Sequence, residues 1–411
     1  MHASPLFTAA ALLLLALIPV LLVAYRGYHS LQARRRTWFG RGLISIVCIE
    51  VSCILILILQ AVRRPPDFDF VIFWINGQMA AHGMNFYDSY LANALAQPFH
   101  PSETFQVESL NRPFLYPPPT IWLFMPLGWF SLRNAALVWY TLQIFCLFAS
   151  VVLLSRIFFQ DKTLQGYLVT GILLMSMYGT YSNIKTAQTL FLVLLFMALF
   201  FRDQNGFRGG VWLGTCILLK PFAAMLLIYC AFRKKWRALG GALAADAVAT
   251  LVTLAVCGPS VFKSYFLEMN YAGLPRSLYR EPQNQSLLAW TIRVVGDSRA
   301  AITVFMLLAT IMAGITLFRM FHLLAEGDNV AFASTLTLAL LLYPASLRSY
   351  SVLLVIPVLL LFRRNLLLPI AVAYGLMTIG GGYFVGFASA LLWLVFSGVK
   401  AEEHQTVLVT A

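Results

Sequence analysis

The chain has 411 residues, of which 60% are hydrophobic and 11% charged. Soluble domains carry about 25% charged residues, and a water-soluble fold of this size could not hide so much apolar surface, so the solvent is lipid. The net charge of +13 would suggest nucleic acid in a soluble protein. Here the Arg and Lys cluster in short loops between apolar runs, which is the positive-inside pattern and argues against a nucleic-acid partner.

The runs are predicted as helices because the alternating pattern of an outer-membrane barrel is absent. Residues 6–25 carry no charge, and a spanning helix needs about 20 apolar residues. No basic segment precedes this run and the arginine-rich 26–41 follows it, so it is expected to be a first spanning helix rather than a cleaved leader. Residues 42–62 carry only Glu50, and 238–262 only Asp246. The runs 134–155, 163–184, 300–318 and 329–347 are uncharged, and 365–399 is long enough for two passes around Gly380–Gly382. The six cysteines lie in or at the ends of these runs without a CxxC pair, as small core residues would.

Charge parity gives a topology. Residues 26–41 hold five Arg and no acid, so they are expected to be cytoplasmic, as are Arg233–Arg237 and Arg363–Arg364. A first exterior loop then covers about 63–112 and a second about 259–299, with Tyr343–Tyr350 also outside. The count closes only if 113–132, which begins Pro113-Phe-Leu-Tyr-Pro-Pro-Pro, enters the membrane and returns, since such a sequence makes a poor continuous helix. The run 209–232 splits at Lys220-Pro221 into two short arms. It is either a re-entrant hairpin with Lys220 at its tip or one pass bent at Pro221. The expectation is a single all-α, polytopic membrane domain, 1–411, of about 11 to 13 segments.

The first exterior loop carries Asp67 and Asp69 among aromatics, just after a spanning helix. A carboxylate in partly apolar surroundings gains proton affinity and suits a general base that deprotonates an acceptor hydroxyl. The bland alternative is a helix N-cap, since Phe70, Phe73, Trp74 and Gly77 follow Asp69 with helical spacing. The two Asp could hold a divalent ion, but no third ligand accompanies them and no cofactor is expected. Lys220 stands alone in an apolar run, where a charge marks a functional candidate, and a lipid phosphate needs a cation at headgroup depth. Arg112, Lys185, Arg276, Arg280, Arg293 and Arg348 are further cations for such a group. Headgroup contacts or ion pairs would equally explain them. Lys220 could also pair with Glu50 or Asp246.

The ordered series is then an acidic pair, Gly83…Tyr87-Asp88, Phe114-Leu-Tyr116-Pro-Pro, Gln188 at the head of a helix, Gly214…Lys220-Pro221, Gly258-Pro259…Phe262, Ser286 and Pro344…Tyr350. From about residue 65 to about 362 the chain resembles glycosyltransferase family 87, within the membrane-embedded GT-C superfamily. The resemblance implies a GT-C-like bundle. It implies an inverting transferase that takes a sugar, typically mannose, from a polyprenyl-phosphate donor and passes it to a glycan or glycolipid acceptor. Catalysis would lie on the exterior face of the plasma (inner) membrane. It implies Asp69 as base, from its spacing to Trp74, with Asp67 displaced by two. It maps the family's Lys-Pro step to Lys220-Pro221, and Lys220, Gln188, Tyr116 and Tyr350 of the series, with the cations Arg112, Arg276, Arg280 and Arg348, are the residues expected on the substrates. Two places depart from the family. Ala187-Gln188-Thr189 stands where members often have Gly-Gln-Asn, and Leu347-Arg348-Ser349-Tyr350 where they often have Asp-Tyr-Asp or His-Tyr. A transporter or flippase is the reading from a different class. It would need a midplane site on broken helices and often internal repeats. No repeat is seen, and the charges gather at one face.

Overall fold

Lipid supplies no hydrogen bonds, so a backbone facing it must satisfy itself, and irregular segments survive only inside the protein. The arrangement of helices follows this rule. The computed structural model describes residues 68–96, 116–159, 164–268, 281–323, 327–378 and 384–398, with residue 279 and most of 41–56. Those residues are 85% helical, with 17 helices and no strand, as an all-α polytopic membrane protein requires. The span expected at 6–25 lies outside the described residues.

In chain order the helices that place the site are α1 (Phe68–Ala81), α2 (Leu132–Phe158), α3 (Leu164–Met175), α4 (Tyr178–Thr186) and α5 (Leu190–Arg202). They continue with α6 (Phe207–Leu219), α7 (Met225–Phe232), α8 (Trp236–Cys257), α9 (Leu287–Val295) and α10 (Arg299–Phe318). The last are α11 (Asp328–Leu342), α12 (Val355–Arg363), α13 (Leu367–Thr378) and α14 (Val385–Gly398). Among the described residues three helices are long and apolar enough to cross a bilayer: α2, α8, and α10 extended to Phe321. The best 18-residue stretches of α8 and α10 are only 17% and 11% buried, so these two face lipid. The shorter helices pack inside, where broken backbone can be repaired by side chains.

Two breaks show the repair. The run 163–184, expected as one span, is two helices, α3 and α4, that meet at Ser176-Met177. The carbonyls freed there are taken up by hydroxyls: Tyr374 OH donates to Leu173 O at 3.2 Å and Thr180 Oγ1 to Leu174 O at 2.5 Å, while Ser176 Oγ adds a second bond to Ile172 O. The second break is at Lys220, which is extended (φ −149°, ψ 105°) before a 3-10 turn from Pro221 to Ala224. Proline has no N–H to continue the ladder, and Thr120 Oγ1 caps the exposed Leu218 O at 2.6 Å.

The segment 207–232 is a hairpin, not a bent pass. A Cβ on Gly210 would meet Ala238 O, and one on Gly214 would meet Ala242 O. The contacts advance together along both chains, so α6 and α8 run parallel, and α7 must return between them. Lys235, at the foot of the return arm, donates to Asn205 beside the foot of α6 at 2.6 Å. Thirteen helical residues in α6 rise about 20 Å, so Lys220 stands about 20 Å from the foot of the hairpin, against about 30 Å for a bilayer core. The small residues that allow this approach are Gly210, Gly214 and Gly241, close packing of the kind membrane helices favour.

Residues 116–129 also make no continuous crossing. They form two 3-10 turns around a four-residue helix, Ile121–Phe124. They lie backbone to backbone on α1: a Cβ on Gly77 would strike Phe124 O, and one on Gly128 would strike Gln78 N. The cysteines divide. Cys146, Cys216 and Cys230 are core residues as expected, whereas Cys48 and Cys53 are exposed. An outward face bathed in lipid is as apolar as a core, so hydropathy does not separate the two places.

The basic turns gather at one end. Asp328 bonds Arg233 and Lys235, each at 2.6 Å, and Gln204 donates to Asn329 at 3.2 Å. The Lys235 side chain is 2% exposed and that of Asp328 38%. Removing the acid's charge leaves the buried Lys235 ammonium, among the described residues, only Asn205 and the Tyr229 ring, and because Asp328 is partly screened by solvent the cost falls below the roughly 3 kcal/mol of a fully buried pair. Asp328→Asn is therefore expected to lower the thermal midpoint of the purified protein in detergent. Asp203→Asn, on the same end, is the comparison that leaves it unchanged.

Candidate active site

At the opposite end four expected residues meet in one hydrogen-bonded set. Gln188 is the bridge. Its Nε2 donates to Asp69 Oδ2 at 2.5 Å, and its Oε1 accepts from Lys220 Nζ at 3.2 Å and from Tyr116 OH at 3.4 Å. Lys220 Nζ also donates to Tyr116 OH at 2.8 Å. The opposite amide orientation would put N–H against an ammonium and oxygen against a carboxylate, so the pairing itself fixes the amide. Lys220 Nζ lies 4.6 Å from the Tyr116 ring centroid and 5.3 Å from that of Tyr350. Aromatic faces are a suitable wall for a cation with little water. Among the described residues no carboxylate forms an ion pair with Lys220, so the pairing with Glu50 or Asp246 left open by the sequence is not made.

Each member is placed by its backbone. Asp69 is in the first turn of α1, where the helix dipole favours an anion. It is inside the helix and its carboxylate is turned to Gln188, which is not an N-cap geometry. Helix α1 is nearly all buried, and its rings hold it in place: Phe73 stacks on Phe124 at 4.5 Å and meets Tyr116 edge-on at 5.4 Å. Gln188 sits in the tight turn between α4 and α5. Ala187 there is left-handed (φ 52°, ψ 37°) and fully buried. An L residue with a Cβ is disfavoured in that conformation, so Ala187 holds a backbone that glycine would adopt without strain. Trp139 Nε1 donates to Ala187 O at 2.8 Å, and Leu190 N to Asn183 Oδ1 at 3.0 Å, pinning the turn from both sides. Tyr87 OH donates to Tyr116 O at 2.5 Å and fixes that strap.

The other expected residues divide. Tyr350 faces Lys220 and packs on Phe222 at 5.6 Å. Arg348 is held over the Tyr178 ring at 4.7 Å and is not in the Lys220 set. Arg293 stacks on Trp290 at 4.6 Å and donates to the carbonyls of Glu281 and Asn284. It closes the second loop rather than facing the site. Gln285 N donates to Ser346 O at 2.6 Å and Asn284 Nδ2 to Pro344 O at 2.7 Å, zipping that loop to the 343–348 turn. Asp67, Arg112, Arg276 and Arg280 lie outside the described residues. Tyr87, named in the ordered series, acts on the Tyr116 carbonyl, while Trp139 and Asn183 were missed from sequence because each acts on a backbone atom that no spacing pattern marks.

The arrangement offers a carboxylate and a cation with a phenol beside it, joined through one glutamine amide. The family model of glycosyltransferase family 87 matches residues 114–357. The chain belongs to glycosyltransferase family 87. It is thus a membrane glycosyltransferase, and the transporter reading is set aside. The match covers Tyr116, Gln188, Lys220, Arg348 and Tyr350, while Asp69 precedes it and joins the matched region through Gln188. No curated protein and no solved structure matches the chain.

Proposed function

We propose that this member of family 87 is an inverting transferase. It moves a sugar, mannose first among the candidates, from a polyprenyl-phosphate carrier to a glycan or glycolipid acceptor at the exterior face of the plasma membrane. The observation that carries the reading is the single amide of Gln188, bonded to Asp69 on one side and Lys220 on the other. It holds a proton acceptor and a phosphate-binding cation at fixed separation. The donor's phosphate is bound by Lys220 Nζ and Tyr116 OH, which approach it from within the membrane. The acceptor hydroxyl attacks the anomeric carbon and gives its proton to the Asp69 carboxylate. The bond between that carbon and the phosphate oxygen breaks, and polyprenyl phosphate leaves with the bonding electrons. One displacement inverts the anomeric configuration. Arg112, Arg276, Arg280 and Arg348 complete the contacts to the two substrates, and Asp67 flanks the base.

Lys220 stands nearer the end away from the basic turns, so a polyprenyl phosphate in the exterior leaflet brings its phosphate to about that depth. The basic end is then cytoplasmic by the positive-inside rule. In a background lacking the six native cysteines, Met84→Cys at the site end is expected to react with a membrane-impermeant maleimide added to intact cells, and Arg237→Cys at the basic end to be protected. The reverse pattern would put the site on the wrong face. For the reaction itself, purified protein in lipid is given polyprenyl-phosphate mannose of known anomeric configuration. The product is analysed by mass and NMR. A product of inverted configuration supports the reading, and a retained one contradicts the single displacement.

A further inference from the structure

A cleft of about 840 Å³ lies at the basic end, remote from the Asp69–Lys220 set. One wall is a stripe on α2: Phe145, Phe148 and Val152 follow one another at helical spacing, and Arg156 continues it. Phe145, Phe148 and Val152 are 66%, 42% and 40% exposed. From Phe145 to Arg156 the stripe is about 16 Å long, close to the 15 Å of hydrocarbon in one leaflet.

Three arginines also line the cleft, Arg156, Arg202 and Arg363, one from the last turn of each of α2, α5 and α12. A basic residue is favourable at a helix C-terminus, which accounts for each singly. It does not account for three guanidinium groups converging on one hollow. Among the described residues none of the three makes an ion pair. Arg156 Nε has a long contact to Tyr167 OH, 3.4 Å. The acids nearby are turned away. Asp328 is engaged by Arg233 and Lys235. Asp203 lies against Gly206, whose Cβ would meet Asp203 Oδ1 at 2.4 Å. Gln204 and Asn329 supply the neutral polar rim.

We infer that this cleft binds an anionic phospholipid of the leaflet at the basic end. Its phosphodiester is held by Arg156, Arg202 and Arg363, and an acyl chain lies along the α2 stripe. The charge and the apolar length are complementary to one amphiphile: guanidinium groups favour phosphate oxygens by paired hydrogen bonds, and basic pockets between membrane helices suit such headgroups. A soluble anion would use the arginines but leave the stripe idle.

Native mass spectrometry of the full chain released from detergent tests this, with palmitoyl-oleoyl phosphatidylglycerol and phosphatidylcholine as probes. One phosphatidylglycerol is expected to stay bound at an activation that strips phosphatidylcholine. Arg156→Gln with Arg202→Gln and Arg363→Gln is expected to weaken it by about tenfold or more. Val152→Trp, which fills the stripe and keeps every charge, is expected to weaken it as well. Arg208→Gln with Lys234→Gln and Arg237→Gln removes equal charge from the same end outside the cleft and is expected to leave binding unchanged. The inference is overturned if this control loses as much as the cleft variant, or if Val152→Trp retains the lipid as the parent does. It is overturned equally if phosphatidylcholine is held as firmly, or if excess glycerol 3-phosphate displaces the lipid.

Discussion

Asp69→Asn is expected to lose transfer by about 10²–10⁴ in rate, the usual contribution of a general base, while fold and donor binding persist. Asparagine keeps the volume of aspartate and can still meet Gln188, but it cannot take a proton. The turn is pinned independently through Trp139 and Asn183, and α1 by its buried rings, so little repacking should follow. Donor binding is assigned to Lys220 and Tyr116, and it should survive within a few fold. Asp67→Asn is expected to keep most activity, since the hydrogen bond from Gln188 reaches Asp69. If Asp67→Asn were the inactive variant and Asp69→Asn the active one, the base would be Asp67. If both variants transferred normally, the acid–base mechanism would be wrong.

Lys220→Met is expected to weaken donor binding by 1.5–3 kcal/mol, the worth of a charge-assisted contact, or about 10- to 150-fold in Kd. Methionine replaces an ammonium that is 8% exposed with an apolar chain of similar length. It leaves the Tyr116 hydroxyl and one Gln188 lone pair without this donor. Burying an unpaired ammonium is costly, so the apo protein should not be less stable by more than about 1–2 kcal/mol, and it may be scored in the same thermal scan. The measurement is the affinity of the folded variant for a non-transferable polyprenyl phosphate. An unchanged Kd would move Lys220 from donor binding to a structural role.

Much of this was legible in the sequence, for physical reasons that can be named. Composition dictated lipid as solvent, and the length of the apolar runs located the helices. Pro221 beside Lys220 marked the break, because proline removes a donor wherever it stands. What hydropathy could not supply was direction. The choice between hairpin and bent pass for 207–232 needed the Gly210–Ala238 and Gly214–Ala242 contacts, which set α6 parallel to α8. The break at Ser176-Met177 was not legible because no proline marks it and the nearby Gly179 reads as an ordinary helix glycine. Tyr374, about two hundred residues on, takes up one of the carbonyls freed there.

The site was legible as a set of residue types and not as a geometry. Asp69, Gln188, Tyr116 and Lys220 were each singled out, yet nothing in the spacing said that one glutamine amide joins the first to the last. Arg348 and Arg293 were equally plausible cations by sequence. The structure engages them over Tyr178 and Trp290, because an arginine beside an aromatic ring gains a contact that no sequence pattern records. Ala187 is the converse case. Its left-handed backbone gives the departure from the family's glycine a stated cost rather than a new function.

The most direct test of the central claim is a choice of donors. Purified protein in lipid bilayers is offered polyprenyl-phosphate mannose and GDP-mannose in separate reactions with a common mixture of membrane glycolipid acceptors, and products and released carrier are measured by mass. The account predicts mannosylated product and free polyprenyl phosphate in equal amounts from the lipid donor, neither from the nucleotide donor, and both abolished in Asp69→Asn. Transfer from GDP-mannose, with no polyprenyl phosphate released from the lipid donor, would contradict it.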